Sequence, residues 1–339
     1  MNSSISSSDS AYSAYEWGRC LVVFLAVLTL GALLVLGVMI AVDPYDSGRF
    51  GLLGIQGVAD STEVTANASR ARDPQFDSAV IGNSTGQRLN PAELSQATGL
   101  HFVQLTAPGA DPRGQLAILD FFIRHHQHIG SVVVAASANW CARDLALHLH
   151  NPFPFWLYGE STLVYAGRLF SWRAVNHAYQ RIMIGRGRQK RIAPDGFFNY
   201  EDVFPRDKHP VVPPQQEPAP AFAGKVGDAF PVAALLESAV KRLPADASVV
   251  VLMPPTFYTI VPQPGSVDAA EGDACKAAFK RIVAGRPHSN FIDYRVDNAL
   301  TRDPLNFVDL IHYRGKIAQR VQEGIVASIR LGEAAKIDF

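Results

Sequence analysis

The chain has 339 residues, and its 31 Lys and Arg balance 31 Asp and Glu, giving a formal net charge of zero with the histidines neutral. A polyanion is held by an excess of cationic side chains, so this balance argues against a nucleic-acid partner. Three cysteines are too few for a disulfide framework. Cys20 sits at the edge of an apolar run, leaving Cys141 and Cys275 as either a pair or two ordinary buried thiols, and the second is expected because cysteine is commonly buried without a role.

Residues 1–18 are rich in Ser and lack apolar periodicity, which predicts a disordered tail. The run 20–42, CLVVFLAVLTLGALLVLGVMIAV, carries no charge. As a helix it would extend roughly 34 Å, enough to cross a bilayer. The residues at its end, Met39-Ile40-Ala41 before Val42-Asp43-Pro44, fit a signal-peptide cleavage site poorly, so residues 19–42 are expected to be an uncleaved single-pass anchor. Arg19 and Arg49 flank the run on opposite sides, so charge does not set its orientation. Residues 43–75, with Gly, Asp and scattered apolar positions, predict a stalk.

From Phe76 onward, apolar strand runs alternate with helix-like stretches. Strands are predicted at 77–81, 101–105 and 131–135, and helices at 91–98 and 114–126. Such alternation points to βαβ units in a parallel sheet, hence an α/β, three-layer domain over 76–339. An insertion interrupts it at 151–220. It begins Asn151-Pro-Phe-Pro-Phe-Trp156, continues through an aromatic, helix-like segment to Ile184 and a basic run at 186–191, and ends in the Pro-rich 205–220. A solvated loop is the default for the basic run, with anionic lipid headgroups or an acidic polysaccharide as the functional alternatives. The α/β pattern then resumes with helices near 232–242, 269–283 and 315–330 and strands at 248–253 and 290–294. No internal repeat is visible.

The first strand runs directly into Gly82-Asn83-Ser84. In open α/β sheets nucleophiles and ligands sit at the carboxyl ends of strands, which places Ser84 well for nucleophilic attack, although a strand-end serine also serves as a helix cap. A serine nucleophile needs a base, and the base needs a group that fixes its tautomer. Asp309-Leu-Ile-His312 supplies both, three residues apart and just ahead of the last helix. His125, His126 and His128 read as a solvated helix end, not as metal ligands, so no metal and no cofactor are expected.

With these residues in order, the sequence over 76–330 resembles the SGNH (GDSL-type) hydrolase family, in particular membrane-anchored envelope members related to the acetylation proteins of alginate and other polysaccharides. The family's Gly-Asp-Ser motif is matched by Gly82-Asn83-Ser84 and its C-terminal Asp-x-x-His by Asp309 and His312. The resemblance implies a catalytic triad of Ser84, His312 and Asp309, with an oxyanion hole built from the Ser84 and Gly109 amides and the Asn139 side chain. This sequence departs from the family in having Asn83 before the serine and in lacking the Gly and Asp that usually surround the asparagine of the third motif.

The resemblance further implies a serine esterase or O-acyltransferase acting on acylated envelope polysaccharide, held in a bacterial inner membrane with its domain in the periplasm. The alternative is a non-catalytic module that binds a glycan or a membrane-bound acyltransferase through the aromatics Phe153, Phe155, Trp156, Tyr158 and Trp172. The same aromatics would equally serve to pack the insertion onto the core.

Overall fold

The computed structural model describes residues 8–59, 62–145, 152–213 and 218–332. Helix α1, Ser8–Val42, is a single continuous element. Its stretch Glu16–Val42 is long and apolar enough to cross a membrane by length and composition, a test that a signal sequence near an N-terminus would also pass. The predicted tail falls partly on residues 1–7, outside the described residues, while residues 8–18 belong to the helix.

The domain that follows is α/β. In chain order it comprises α2 Glu63–Ala71, β1 Ser78–Gly82, α3 Pro91–Thr98, β2 Phe102–Thr106, α4 Pro112–His125 and β3 Ser131–Ala135. The insertion contributes α5 Phe155–Tyr158, α6 Thr162–Arg168 and α7 Trp172–Gly185. The chain then returns through α8 Pro231–Val240, β4 Ser248–Met253, α9 Val267–Val283, β5 Asn290–Asp293, α10 Ala299–Arg302 and α11 Gly315–Leu331. The five strands form one sheet in the order β2-β1-β3-β4-β5, and every pairing is parallel.

The strand sequences explain this sheet. SAVIG, FVQLT, SVVVA and SVVVLM are buried at every position, the pattern of strands covered on both faces. Alternate residues divide between two cores: Ile81, Val103, Val132, Val134 and Val251 pack with α4, α8 and α9, whereas Val80, Val133, Val250 and Ile292 pack with Leu94 of α3 and Ile317, Val321 and Ile325 of α11. The result is three layers, with helices on each side of the sheet.

Residues 43–75 are not a stalk. Val42, Asp43, Tyr45, Asp46 and Ser47 are buried, and α2 lies on β2 and α4, with Asn67 Nδ2 donating to the Thr106 carbonyl at 2.9 Å. The reason is a buried ion pair that the local composition conceals. Asp46 meets Arg181 of α7 at 2.9 Å, pairs also with Arg72, and accepts hydrogen bonds from the Ser69 hydroxyl and the Gly57 amide. Burial alone would raise the Asp46 carboxyl, but the Arg181 and Arg72 guanidiniums and these hydrogen bonds hold it below the usual carboxylate range. Arg181 also donates to the carbonyls of Val42, Asp43 and Ile55, so it takes up backbone acceptors that the end of α1 leaves open.

The insertion likewise belongs to the domain. Its aromatics close around the end of α1: Tyr45 makes edge contacts with Trp156 and Tyr165 at 5.1 and 6.2 Å, and the Tyr165 hydroxyl donates to Asp43. Its second half runs along the open edge of β2, where the Gln104 amide donates to the Asp195 carbonyl at 2.7 Å. Cys141 and Cys275, expected as separate thiols, form a disulfide. The turn after β3 passes over α9 with the two Cα atoms 5.6 Å apart, within bridging range.

Candidate active site

Ser84 lies two residues beyond the end of β1 and opens a 3-10 turn, Ser84–Gly86. Asn83 caps this turn: its Oδ1 accepts from the Thr85 amide and hydroxyl at 3.0 and 2.8 Å. Its Nδ2 donates to the Ser137 hydroxyl, at 3.3 Å, in the turn after β3. The cap needs only a side-chain oxygen, which Asn supplies as well as Asp, and the amide donates to the Ser137 hydroxyl where a carboxylate would have to accept from it. Gly86 lets the turn nest between the neighbouring strand ends, because a Cβ there would meet both Ala135 Cβ and Thr106 Cγ2 at 3.2 Å.

His312 comes from the loop between the last 3-10 turn and α11. That loop is pinned by a bridge between Phe307 and Tyr313 and by the Val308 amide donating to the His312 carbonyl at 2.8 Å. Asp309 organises it further, its Oδ1 accepting from the Ile311 and His312 amides, both at 2.9 Å. The same carboxylate faces His312 Nδ1 at 2.8 and 2.9 Å, and His312 Nε2 stands 2.9 Å from Ser84 Oγ. Burial alone would raise the Asp309 carboxyl, but the hydrogen bonds from His312 and the two amides outweigh it and hold it at about 2. An ionised Asp309 fixes the tautomer: Nδ1–H donates to the carboxylate, and Nε2 is left to accept from the Ser84 hydroxyl.

The structure therefore joins Ser84, His312 and Asp309 in one hydrogen-bonded line across 228 residues of chain. Gly109 and Asn139 stand at the same sheet edge. Gly109 is exposed in the loop after β2, and Asn139 is exposed in the 3-10 turn Ala138–Cys141 after β3. Neither is hydrogen-bonded to the triad among the described residues. Asn139 instead borders a cleft of about 730 Å³ whose walls include Met253, Thr259, Gln263, Lys276 and Arg295, with Ser84 and His312 outside them. The disulfide at Cys141, two residues on, fixes the Asn139 turn to α9.

No family model, curated protein or solved structure matches this chain. Its chemistry must be read from the site itself.

The support around His312 escaped sequence reasoning. Tyr200, in the insertion, sets its ring edge-on to the imidazole at 5.3 Å between centroids and donates its hydroxyl to the Tyr313 carbonyl; Phe204 lies beside both rings, 6.4 Å from the imidazole and 6.2 Å from Tyr200. Burial pushes the Tyr200 hydroxyl up, so it stays a neutral donor. Glu201 accepts from the Gly315 amide, at 3.0 Å, at the start of α11, and it pairs with Arg88 at 3.3 Å. Carboxylates are favoured at helix N-termini, so this contact anchors the helix that follows the base. The aromatic stretch at 197–204 was the only signal, and it carried no information about which loop it would meet. His125 and His126 turn Nδ1 to the carbonyls of Phe121 and Phe122 at the end of α4. Among the described residues no three or more His, Cys, Asp or Glu side chains are gathered for a metal ion.

Proposed function

We propose that this chain is a membrane-anchored serine esterase or O-acyltransferase of SGNH type, acting on acyl esters of cell-envelope glycans. The reading is carried by one observation: Ser84 Oγ, His312 and Asp309 lie in hydrogen-bonded series, at 2.9 and 2.8 Å, where β1 and the loop before α11 meet at the carboxyl edge of the sheet.

In this mechanism His312 Nε2 takes the Ser84 proton as Oγ attacks the ester carbonyl, and Asp309 stabilises the imidazolium that forms. Amides at the turn of Ser84 and the loop of Gly109, with Asn139, supply donors for the tetrahedral oxyanion; such a donor contributes about 3 kcal/mol of transition-state stabilisation. His312 then protonates the departing alcohol, leaving an acyl-serine. Water or a sugar hydroxyl accepts the acyl group, His312 again acting as base, so one site serves hydrolysis or transfer according to the acceptor.

One feature supports placing the domain outside the cytoplasm, and another supports an uncleaved anchor. The Cys141–Cys275 disulfide belongs to an oxidising compartment such as the periplasm. Met39 and Val42 are buried in the domain core and Arg181 binds the Val42 carbonyl, so cleavage at the end of α1 would cut into the fold, which favours an uncleaved anchor. Of the aromatics in the binding-module alternative, Tyr158 is buried and Trp156 packs on Tyr45, whereas Phe155 and Trp172 are exposed. The test is p-nitrophenyl acetate turnover by detergent-purified full-length protein, with and without an acylatable glycan. The proposal expects Ser84-dependent acetate release, and acetylated glycan if the enzyme is a transferase; an inert protein contradicts it.

A further inference from the structure

The uncharged stretch of α1 that stands outside the domain core, residues 20–38, would span about 28 Å as a helix. The hydrocarbon core of a bilayer is about 30 Å thick, so an α1 that crosses it must place the turn around Ile40 and Ala41 at the boundary with the headgroups. At that level the chain doubles back: the Gly51 amide donates to the Ile40 carbonyl at 3.1 Å and the Leu53 amide to the Ala41 carbonyl at 3.2 Å. Gly51, with φ 103°, makes this reversal possible. Between the two bonds, Leu52 is left 82 % exposed, with Leu53 at 58 %.

Helices α6 and α7 are held beside the same level. Tyr165 and Leu169 bury inward with Met39 and Val42, and Arg181 grips the end of α1. The outward side of this hairpin is apolar where a soluble surface would be polar: Leu163 is 86 % exposed, Phe170 57 % and Trp172 83 %. Arg168 and Arg173 are exposed next to them. Leu, Phe and Trp combined with Arg are the composition of elements that lie in the plane of a membrane interface, aromatic rings at headgroup depth and cations toward anionic lipid.

We propose that the α6–α7 hairpin and the Leu52–Leu53 turn form a second membrane contact, a foot that sinks into the lipid interface next to α1. The occupant of this apolar surface is the bilayer, because the surface is continuous with the membrane-spanning helix and bonded to its last turn. The inference rests on the reading of α1 as an anchor. With two points of attachment, and the buried Asp46–Arg181 pair joining them, the domain cannot swivel about a stalk, and its site is held in a fixed attitude to the membrane.

The test uses full-length protein with Cys20→Ser, reconstituted in vesicles of phosphatidylethanolamine and phosphatidylglycerol. Nitroxides are placed singly at Leu52→Cys, Leu163→Cys and Trp172→Cys, with Leu30→Cys in α1 and Lys280→Cys on α9 as references. The foot predicts that the first three labels, like that at Leu30, collide more with oxygen than with a water-soluble nickel complex, and that Lys280 does the reverse. Water-like behaviour at the three sites with a bilayer-like Leu30 overturns the foot and leaves the anchor standing. Shielding from both reagents assigns the surface to a protein partner and also overturns it, while a water-like Leu30 removes the anchor and the foot together. Lipid brominated near the headgroup end of its chains gives a label-free check: it should quench the emission that Trp172→Phe removes.

Discussion

The Tyr200 ring stands edge-on to the His312 imidazole, 5.3 Å between centroids, while its hydroxyl is bonded to the carbonyl of the next residue, Tyr313. An insertion that the sequence places outside the sheet thus packs an aromatic ring against the candidate base. Tyr200→Ala should lower kcat by about tenfold to a hundredfold, because small misplacements of a reacting group are costly, with little change in KM. Tyr200→Phe keeps the ring and should recover most of the rate. Equal loss in both variants would assign the effect to the hydroxyl instead of the ring.

Triad members act as a unit, which makes their effects non-additive. Ser84→Ala and His312→Ala should each remove nearly all esterase activity, and the double variant should be no worse than either. Asp309→Asn should lower kcat by about 10⁴, since a neutral amide permits the wrong imidazole tautomer. Asn139→Ala should cost about 3 kcal/mol in kcat/KM if its side chain serves the oxyanion, and close to nothing if the backbone amides serve alone. Steady-state kinetics on folded variants measure all four.

The strands and the pairing of Asp309 with His312 were legible for different reasons. Runs such as SVVVA and SVVVLM are apolar throughout because both faces of a central parallel strand are covered, and the three-residue spacing of Asp309 and His312 suffices to bring carboxylate and imidazole together. What stayed hidden depended on distant partners. Asp46 meets Arg181 across 135 residues, and Cys141 meets Cys275 across 134. A Gly- and Asp-containing segment reads as a stalk until the arginine that buries its carboxylate is known. The boundary matters in practice: a truncation near residue 50 removes Tyr45 and Asp46 from the core.

The Asp46–Arg181 pair gives a pH signature. Asp46 and Arg181 side chains are 4 % and 2 % exposed, and removing one partner of a buried pair costs about 3–5 kcal/mol. The Asp46 carboxyl is held below its unfolded value, so its contribution is complete above about pH 4 and disappears as pH falls below that. Asp309, held at about 2, adds a term of the same sign in the window from about pH 4 to 2. Wild-type stability should therefore drop as pH falls through this range. Asp46→Asn should be less stable at neutral pH and show a shallower acid decline. Denaturant titrations across pH check both, and an unchanged slope would contradict the pairing.

The disulfide closes a loop of more than a hundred residues and should contribute about 2–4 kcal/mol. Cys141→Ser with Cys275→Ser should lower Tm accordingly. Because Asn139 lies two residues from Cys141, the same variant should also lose kcat, whereas Cys20→Ser should change neither. Calorimetry and ester turnover on the three proteins separate these outcomes.

The central claim is that Ser84 is a nucleophile activated by His312, and the most direct measurement is covalent labelling of the full-length protein by a fluorophosphonate probe, with the modified peptide located by mass spectrometry. The account predicts one phosphonylated site, Ser84, no labelling of Ser84→Ala, and labelling of His312→Ala slowed by orders of magnitude. A wild-type protein that does not react, or a folded Ser84→Ala that reacts as fast as wild type, would contradict it.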